Sequence, residues 1–536
     1  MDKRNGIVKR TAWMCVLGLF LLYYVSIICL NLNSGQWYNY DMYADAMIAK
    51  YMAEYNTLFP ENWTFGNQFY VVATPVLASL IYRICGDTVL SMGIASCIMT
   101  TMILICFWWC LHPFAKRKSI LAGMLCLIGG TMFGKNAASD VKSLQVFYTM
   151  CSYYACYVIG ILLTIGIWLR LINGRKVSGF VLLVCILANA ALGMQSLREM
   201  LVLNLPLCVA AFFYSAIQKE WRTRANVFVG CAFFANLLGV ALTKCLVTYW
   251  GIQQSTILQD PQGGILERII DNVVALANYA GFSVMVQHSF RFAIIRLLGV
   301  LFIVGMVLLV FVRIWKHIKT QMLSAAILFC CVSLAGVFCA GIVVLDNRDI
   351  YYFVWQLLVA VAAVYLFELE WKAKWIRQCA IVGILVVCSM NYMIEFGMVA
   401  RDYIRDRAEL KKIAAYLEEN DISHVFYDAT KCFTGPSITA ETEKDVLMAP
   451  VWFKYAGTSD DDLIDKIPYL SVEEWFIPEE ADQYYLLLSQ NSLPALGECR
   501  NDFEAMLTLE EKFEIAGLSY MFYTFEGDVL RDIQTE

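Results

Sequence analysis

Eleven apolar runs, each near the roughly 20 residues a helix needs to cross a bilayer, constrain this chain more than any other feature of its 536 residues. They lie at 12–31, 88–111, 119–134, 147–169, 178–196, 200–217, 226–249, 291–312, 322–345, 351–368 and 378–397. The basic residues fall in the loops at alternate ends: Lys3, Arg4, Lys9 and Arg10; Lys116, Arg117 and Lys118; Arg170, Arg175 and Lys176; Lys219, Arg222 and Arg224; Arg313, Lys316 and Lys319; Lys372, Lys374 and Arg377. The positive-inside rule makes those ends cytoplasmic. The N-terminus is then cytoplasmic, and an odd number of spans places residues 398–536 outside. No small-residue cleavage site follows the first run, so it reads as a retained helix. The further apolar run 69–85, FYVVATPVLASLIYRIC, would invert every later loop if it crossed, so it is expected to lie at the outer surface.

Composition agrees: 60% of residues are hydrophobic and only 16% charged, outside the range of a soluble domain. Charge also divides the chain. Residues 401–536 hold 12 Lys+Arg against 29 Asp+Glu, a balance of −17, whereas the part before them is positive by 12. Two domains follow, residues 1–397 in the membrane and 398–536 outside it. The tail opens on a helical stretch, DYIRDRAELKKIAAYLEEN (402–420). Strand-like runs follow at SHVFYDA and QYYLLLSQ, then a charged helical run is expected near FEAMLTLEEKFEIA. The fold class is thus a mainly α, polytopic membrane bundle of about eleven helices with a small C-terminal extracytoplasmic α/β domain. Seventeen of the twenty cysteines lie in apolar spans, where a thiol acts as a small hydrophobe. Cys432 and Cys499 belong to the tail and stand open between a disulfide and two free thiols.

The two long outer segments are residues 32–87 and 250–290. The second contains a turn signal, QDPQGG, and then ILERIIDNVVALANYAGF, whose spacing fits an amphipathic interfacial helix. The first contains YNYDMYADAMIAKYM, which puts Asp41 and Asp45 one helical turn apart directly after a membrane span.

The run DMYADAMIAKYM resembles D-E-x-x-Y-A-x-I-A-x-x-M, a pattern of the glycosyltransferase C superfamily of polytopic enzymes. These include the bacterial family typified by lipid-A aminoarabinose transfer and the protein O-mannosyltransferases. The match lies at Asp41, Ala46, Ile48, Ala49 and Met52; Met42 replaces the second acid and Asp45 the tyrosine. ATPVLASLIYRICGDTVLSM is similar to the family's juxtamembrane helix leading into the second span, through Pro75, Leu77 and Gly86. Asp140, in KNAASDVKSLQ, stands in the second outer loop, where relatives often carry another acid.

The resemblance implies inverting transfer of a sugar from a polyprenyl-phosphate donor to a cell-envelope acceptor at the outer membrane face. Such a reaction needs a base for the acceptor hydroxyl and cations for the departing phosphate. Asp41 is the expected base. Asp45 and Asp140 stand between a substrate or metal ligand and a solvated carboxylate. The loss of an acid at Met42 leaves a divalent metal open but not indicated. Outer-side cations are expected to hold the donor phosphate, Arg296 and Arg348 first because a guanidinium grips phosphate bidentately, then Lys244 and Arg198. Anionic lipid headgroups are the competing role for the arginines, and snorkelling to the surface that for Lys244. Membrane lipids are expected partners and nucleic acid is not. Two alternatives are a non-catalytic relative and a transporter or polymerase-like protein of polysaccharide export. A transporter invests its charge near the bilayer midplane, whereas here the polar residues gather in outer loops.

Overall fold

The computed structural model describes residues 2–33, 40–61, 63–130, 154–221, 223–254, 264–282, 290–317, 322–343, 349–371, 374–394, 396, 400–429, 435–442, 446–453, 464–466, 471–472, 484–492, 504–515 and 517–525. In chain order the helices are α1 (Asp2–Asn33), α2 (Tyr40–Glu54), α3 (Thr74–Cys85), α4 (Thr88–Leu111), α5 (Arg117–Gly129), α6 (Cys156–Ile172), α7 (Gly179–Gln195), α8 (Leu205–Gln218), α9 (Thr223–Trp250) and α10 (Ile265–Tyr279). They continue with α11 (Phe290–His317), α12 (Leu323–Val343), α13 (Val354–Glu368), α14 (Lys374–Ile394), α15 (Ala400–Glu419) and α16 (Gly435–Glu441). A π-helical turn, Met200–Asn204, opens the span that α8 completes. Each of the eleven apolar runs holds a helix, and seven of these helices are long and apolar enough to cross a membrane. Their outer faces expose leucine, valine and phenylalanine, for example Leu21, Phe180, Phe234 and Leu298, the surface a lipid-facing bundle requires. The chain is a multi-pass membrane protein.

Segments expected on one side of the bilayer meet one another. At the basic end Arg170 stacks 3.7 Å from the Trp109 ring centroid, Arg175 donates to the Pro113 carbonyl at 3.2 Å, and Arg313 lies over Trp371. The Glu368 carboxylate there accepts from the Lys116 backbone N–H at 2.8 Å. At the other end the strand β1 (Trp63–Thr64) pairs antiparallel with Ser471–Val472, and Phe65 bridges to Gln254. The three segments expected outside therefore share one end.

Helix α3 carries Pro75 in its first turn, where a missing N–H costs nothing, and is capped at its end by Gly86 at φ 69°. That left-handed conformation suits glycine and stops the helix. Asp87 then caps α4, its carboxylate accepting from the Leu90 N–H at 2.7 Å. With 12 residues, α3 is too short to span, as the charge alternation requires. Helix α10 turns its apolar face outward through Ile265, Leu266, Ile270 and Val273 and buries Asn272. The Asn272 carboxamide accepts from the Tyr352 hydroxyl at 2.7 Å. Glu267 and Asp271 are exposed beside this apolar face, the amphipathic pattern of an interfacial helix.

Small residues set the tightest helix crossing. A Cβ on Gly193 of α7 would lie 2.1 Å from the Asn236 carbonyl oxygen of α9, and one on Gly239 would lie 2.0 Å from the Ala190 carbonyl. The Asn236 amide donates to the Asn189 carbonyl at 3.0 Å, and Thr243 donates to that of Met194 at 2.6 Å. Close backbone approach with polar side chains bridging the seam is how helices associate without a hydrophobic drive.

The tail builds a six-stranded mixed sheet from β2 (His424–Asp428), β3 (Leu447–Phe453), β4 (Ile464–Lys466), β6 (Tyr484–Ser489), β7 (Leu507–Ile515) and β8 (Leu518–Phe525), in the order β4-β3-β2-β6-β8-β7; Ser471–Val472 is β5, the partner of β1. Alternation along β2 sends Val425 and Tyr427 to one face and Phe426 to the other. The first face packs on Leu410, Ile413 and Leu417 of α15, spaced as one helical stripe. The second joins the core that continues into the membrane part. The charged run near 503–516, expected to be helical, is largely the strand β7. Its glutamates favour a helix in isolation, but β7 pairs antiparallel with β8 and slips register between Leu509 and Glu511. It closes the sheet as an edge, where charge and a bulge discourage further pairing.

Candidate functional site

Helix α2 is where the first outer loop becomes interior. Every residue from Tyr43 to Lys50 is buried, because α3 and α4 pack on one side of the helix and α16 on another. Asp45 lies in that stretch with no accessible surface, and the Tyr70 hydroxyl donates a short hydrogen bond to its carboxylate. The solvated reading of Asp45 is thus removed. The α2 backbone sets Asp41 one turn nearer the helix start; its side chain lies outside the described residues, as do all of Asp140 and Arg348.

The segment carrying Tyr70 is held in place by Gln195, at the end of α7. The Gln195 backbone carbonyl accepts from Phe69 N–H at 2.9 Å. Its side-chain oxygen accepts from Val71 and Val72 at 3.4 and 3.3 Å, and its amide donates to the Cys156 sulfur at 3.1 Å. One residue therefore fastens the loop to α6 and α7. Next to it, the Tyr157 hydroxyl donates to the Gln68 side-chain amide oxygen at 3.1 Å.

Arg198 follows three residues later. Its guanidinium lies 5.1, 5.7 and 5.4 Å from the ring centroids of Tyr154, Tyr157 and Tyr351, an aromatic cage for a cation. Glu199, beside it, is fully buried, and its carboxylate would touch a Cβ on Gly160 at 2.9 Å. Burial pushes that carboxyl well above the usual carboxylate range, while Arg198 draws it down. The π-turn starts at the next residue; such turns recur where a helix carries a functional side chain.

The other expected cations divide. Arg296 on α11 is 2% exposed, so it faces the bundle interior and not lipid. An interior arginine in a span marks a polar pathway or an anionic partner. Lys244 is exposed on α9, a position that equally suits a lipid headgroup. Among the described residues no three histidines, cysteines or carboxylates are grouped to hold a metal ion. Cys432 and Cys499 lie outside the described residues.

Tyr70, Gln68, Gln195, Tyr157 and Glu199 had no marker in the sequence reading. For Glu199 a signal existed: a carboxylate next to Arg198 between two apolar runs, at a span end, is costly unless used. The tyrosines and glutamines had none, since each partner pair closes over at least 25 residues of chain.

No protein-family profile matches the chain, and no curated protein matches it. Solved structures do. ArnT from Cupriavidus metallidurans bound to undecaprenyl phosphate superposes with a TM-score of 0.55 at 10% identity, covering 96% of this chain and 98% of that one. The same protein in the apo state gives 0.55 and 10%, covering 95% and 97%. The likeness runs from the first span through the tail, and the chain has the fold of ArnT.

Proposed function

We propose that this protein is a membrane glycosyltransferase that moves a sugar from a polyprenyl-phosphate donor to a cell-envelope acceptor at the outer face. The observation that carries this is the full-length likeness to a protein solved with undecaprenyl phosphate. The enclosed, carboxylate-bearing α2 directly after the first span adds to it. In the reaction the acceptor oxygen attacks the anomeric carbon as Asp41 takes its proton. The bond from that carbon to the phosphate oxygen breaks, and polyprenyl phosphate departs with the electron pair. Arg296 and Arg198, with Arg348 and Lys244, meet the phosphate charge. Asp45, held by Tyr70, fixes the register of α2 beneath Asp41, and Asp140 is the second-loop acid.

Residues 1–397 form the catalytic membrane domain in this reading, and residues 398–536 an extracytoplasmic domain seated on it. The tail is tied to the end of α1 by Arg407, which donates to the Asn33 carbonyl and makes a two-point ion pair with Glu441 at 2.8 and 3.3 Å. Introduced cysteines at Glu418 and Lys512 are expected to react with an impermeant maleimide added to intact cells, and one at Lys118 only after permeabilisation. The reverse pattern would overturn the outer-face assignment.

Purified protein is expected to transfer label from at least one member of a panel of radiolabelled polyprenyl-phosphate sugars. Arg296→Ala should weaken use of the donor, raising its KM at least tenfold with the melting transition retained. An Arg296→Ala variant with unchanged KM would remove that residue from the donor site.

A further inference from the structure

Beside α2, on the side where the first outer loop meets the tail, lies a cavity of about 370 Å³, within the roughly 300–1,000 Å³ of small-molecule sites. Tyr51, Tyr55, Phe59, Glu61, Trp63 and Val472 line most of it. The Tyr51 and Tyr55 rings stack at 6.1 Å with planes 23° apart, and Tyr51 meets Trp63 at 5.7 Å. Trp63 is buried, whereas Tyr55 is 63% exposed and Glu61 is exposed too. The cavity thus has an aromatic floor and an open, polar rim. Its wall is completed by the β1–β5 ladder, in which Trp63 pairs with Val472, so both parts of the chain are needed to form it.

Its chemistry selects among ligands. Rings offer an apolar plane for the C–H face of a sugar, and the Glu61 carboxylate and Thr57 hydroxyl accept hydrogen bonds from its hydroxyls. Among the described residues the lining holds no cation and one carboxylate, which disfavours a phosphate or any anionic group. The donor headgroup does not fit this description, but a neutral pyranose does. Tyr51 is ten residues beyond Asp41, roughly 15 Å along the helix, so a ligand there lies to one side of the reacting centre and not in it.

We propose that this cavity is a pyranose-binding subsite that holds a neutral saccharide unit of the acceptor away from its reacting hydroxyl. The assignment of an acceptor role rests on the glycosyltransferase reading; saccharide binding itself does not. The test uses full-length protein in lipid nanodiscs prepared without glucoside or maltoside detergents, whose headgroups would compete. Calorimetric titration with cello-, malto-, manno-, galacto- and chito-tetraose is expected to show binding of at least one. Tyr55→Ala and Glu61→Gln, both on the exposed rim, should each weaken it tenfold or more. Asp41→Asn should leave it unchanged. Binding by none of the five, or binding that both rim variants retain, overturns the subsite. Saccharide binding lost in the rim variants, with no transfer from any polyprenyl donor, keeps the subsite and overturns the glycosyltransferase reading. Transfer that the rim variants leave at full efficiency towards the bound saccharide overturns the acceptor role.

Discussion

Replacing Asp41 by Asn is expected to abolish sugar transfer in a purified assay, whereas Asp45→Asn lowers it several-fold. A positioned base contributes about 10²–10⁴-fold, and an amide of nearly the same shape cannot take the acceptor's proton. The loss should therefore appear in turnover and spare donor binding. Asp45 has no accessible surface and accepts from the Tyr70 hydroxyl. The oxygen of an Asn there can still accept that bond, so the register of α2 survives. Tyr70→Phe removes that bond outright and should lower transfer more than Asp45→Asn if Asp45 acts by positioning. Full activity of Asp41→Asn would rule it out as the base. If Asp140→Asn is the inactive variant, the base comes from the second outer loop.

The contrast between these two aspartates shows what the sequence could and could not deliver. Their i, i+4 spacing after an apolar run already placed both on one helix at the membrane surface. The burial of Asp45 was not readable there, because it depends on α3 and α4, and on α16 from the tail, closing over α2. The spans themselves were legible. A bilayer fixes helix length, so each of the eleven runs was readable as a helix from local pattern alone, and seven of those helices are long and apolar enough to cross a membrane. Pro75 and Gly86 delimited α3 for reasons of backbone geometry that act at any position. The stretch 507–515 misled because its glutamates and lysine carry local helix preference, while its strand state comes from pairing with β8 across the Gly517 turn. The Gln195 staple and the Tyr154, Tyr157 and Tyr351 cage around Arg198 are likewise long-range, and nothing in the separate segments marks them. The α7–α9 seam was half legible: Ala235, Gly239 and Thr243 repeat small residues at four-residue spacing on α9, whereas Gly193 stands singly and nothing local names its partner helix.

That seam carries the second large effect. Gly239→Ala and Gly193→Ala are each expected to destabilise the bundle strongly, lowering the thermal unfolding midpoint in detergent by many degrees or preventing recovery of folded protein. The added methyl would sit 2.0 or 2.1 Å from a backbone carbonyl of the opposing helix, a contact neither backbone can leave without parting the helices. Parting them would also stretch the bonds from Asn236 to Asn189 and from Thr243 to Met194, which overpacking of an apolar side chain alone would not do. Gly230, on the same helix α9, is the control, since a Cβ there meets nothing within 4 Å. Alanine at that position gains up to about 1 kcal/mol of helix propensity over glycine, so Gly230→Ala should match or exceed the parent in stability. Propensity favours the change at all three glycines, and only the crossing opposes it. Equal stability of Gly239→Ala and Gly230→Ala would mean that α7 and α9 do not approach as closely as the 2.0 Å contact requires.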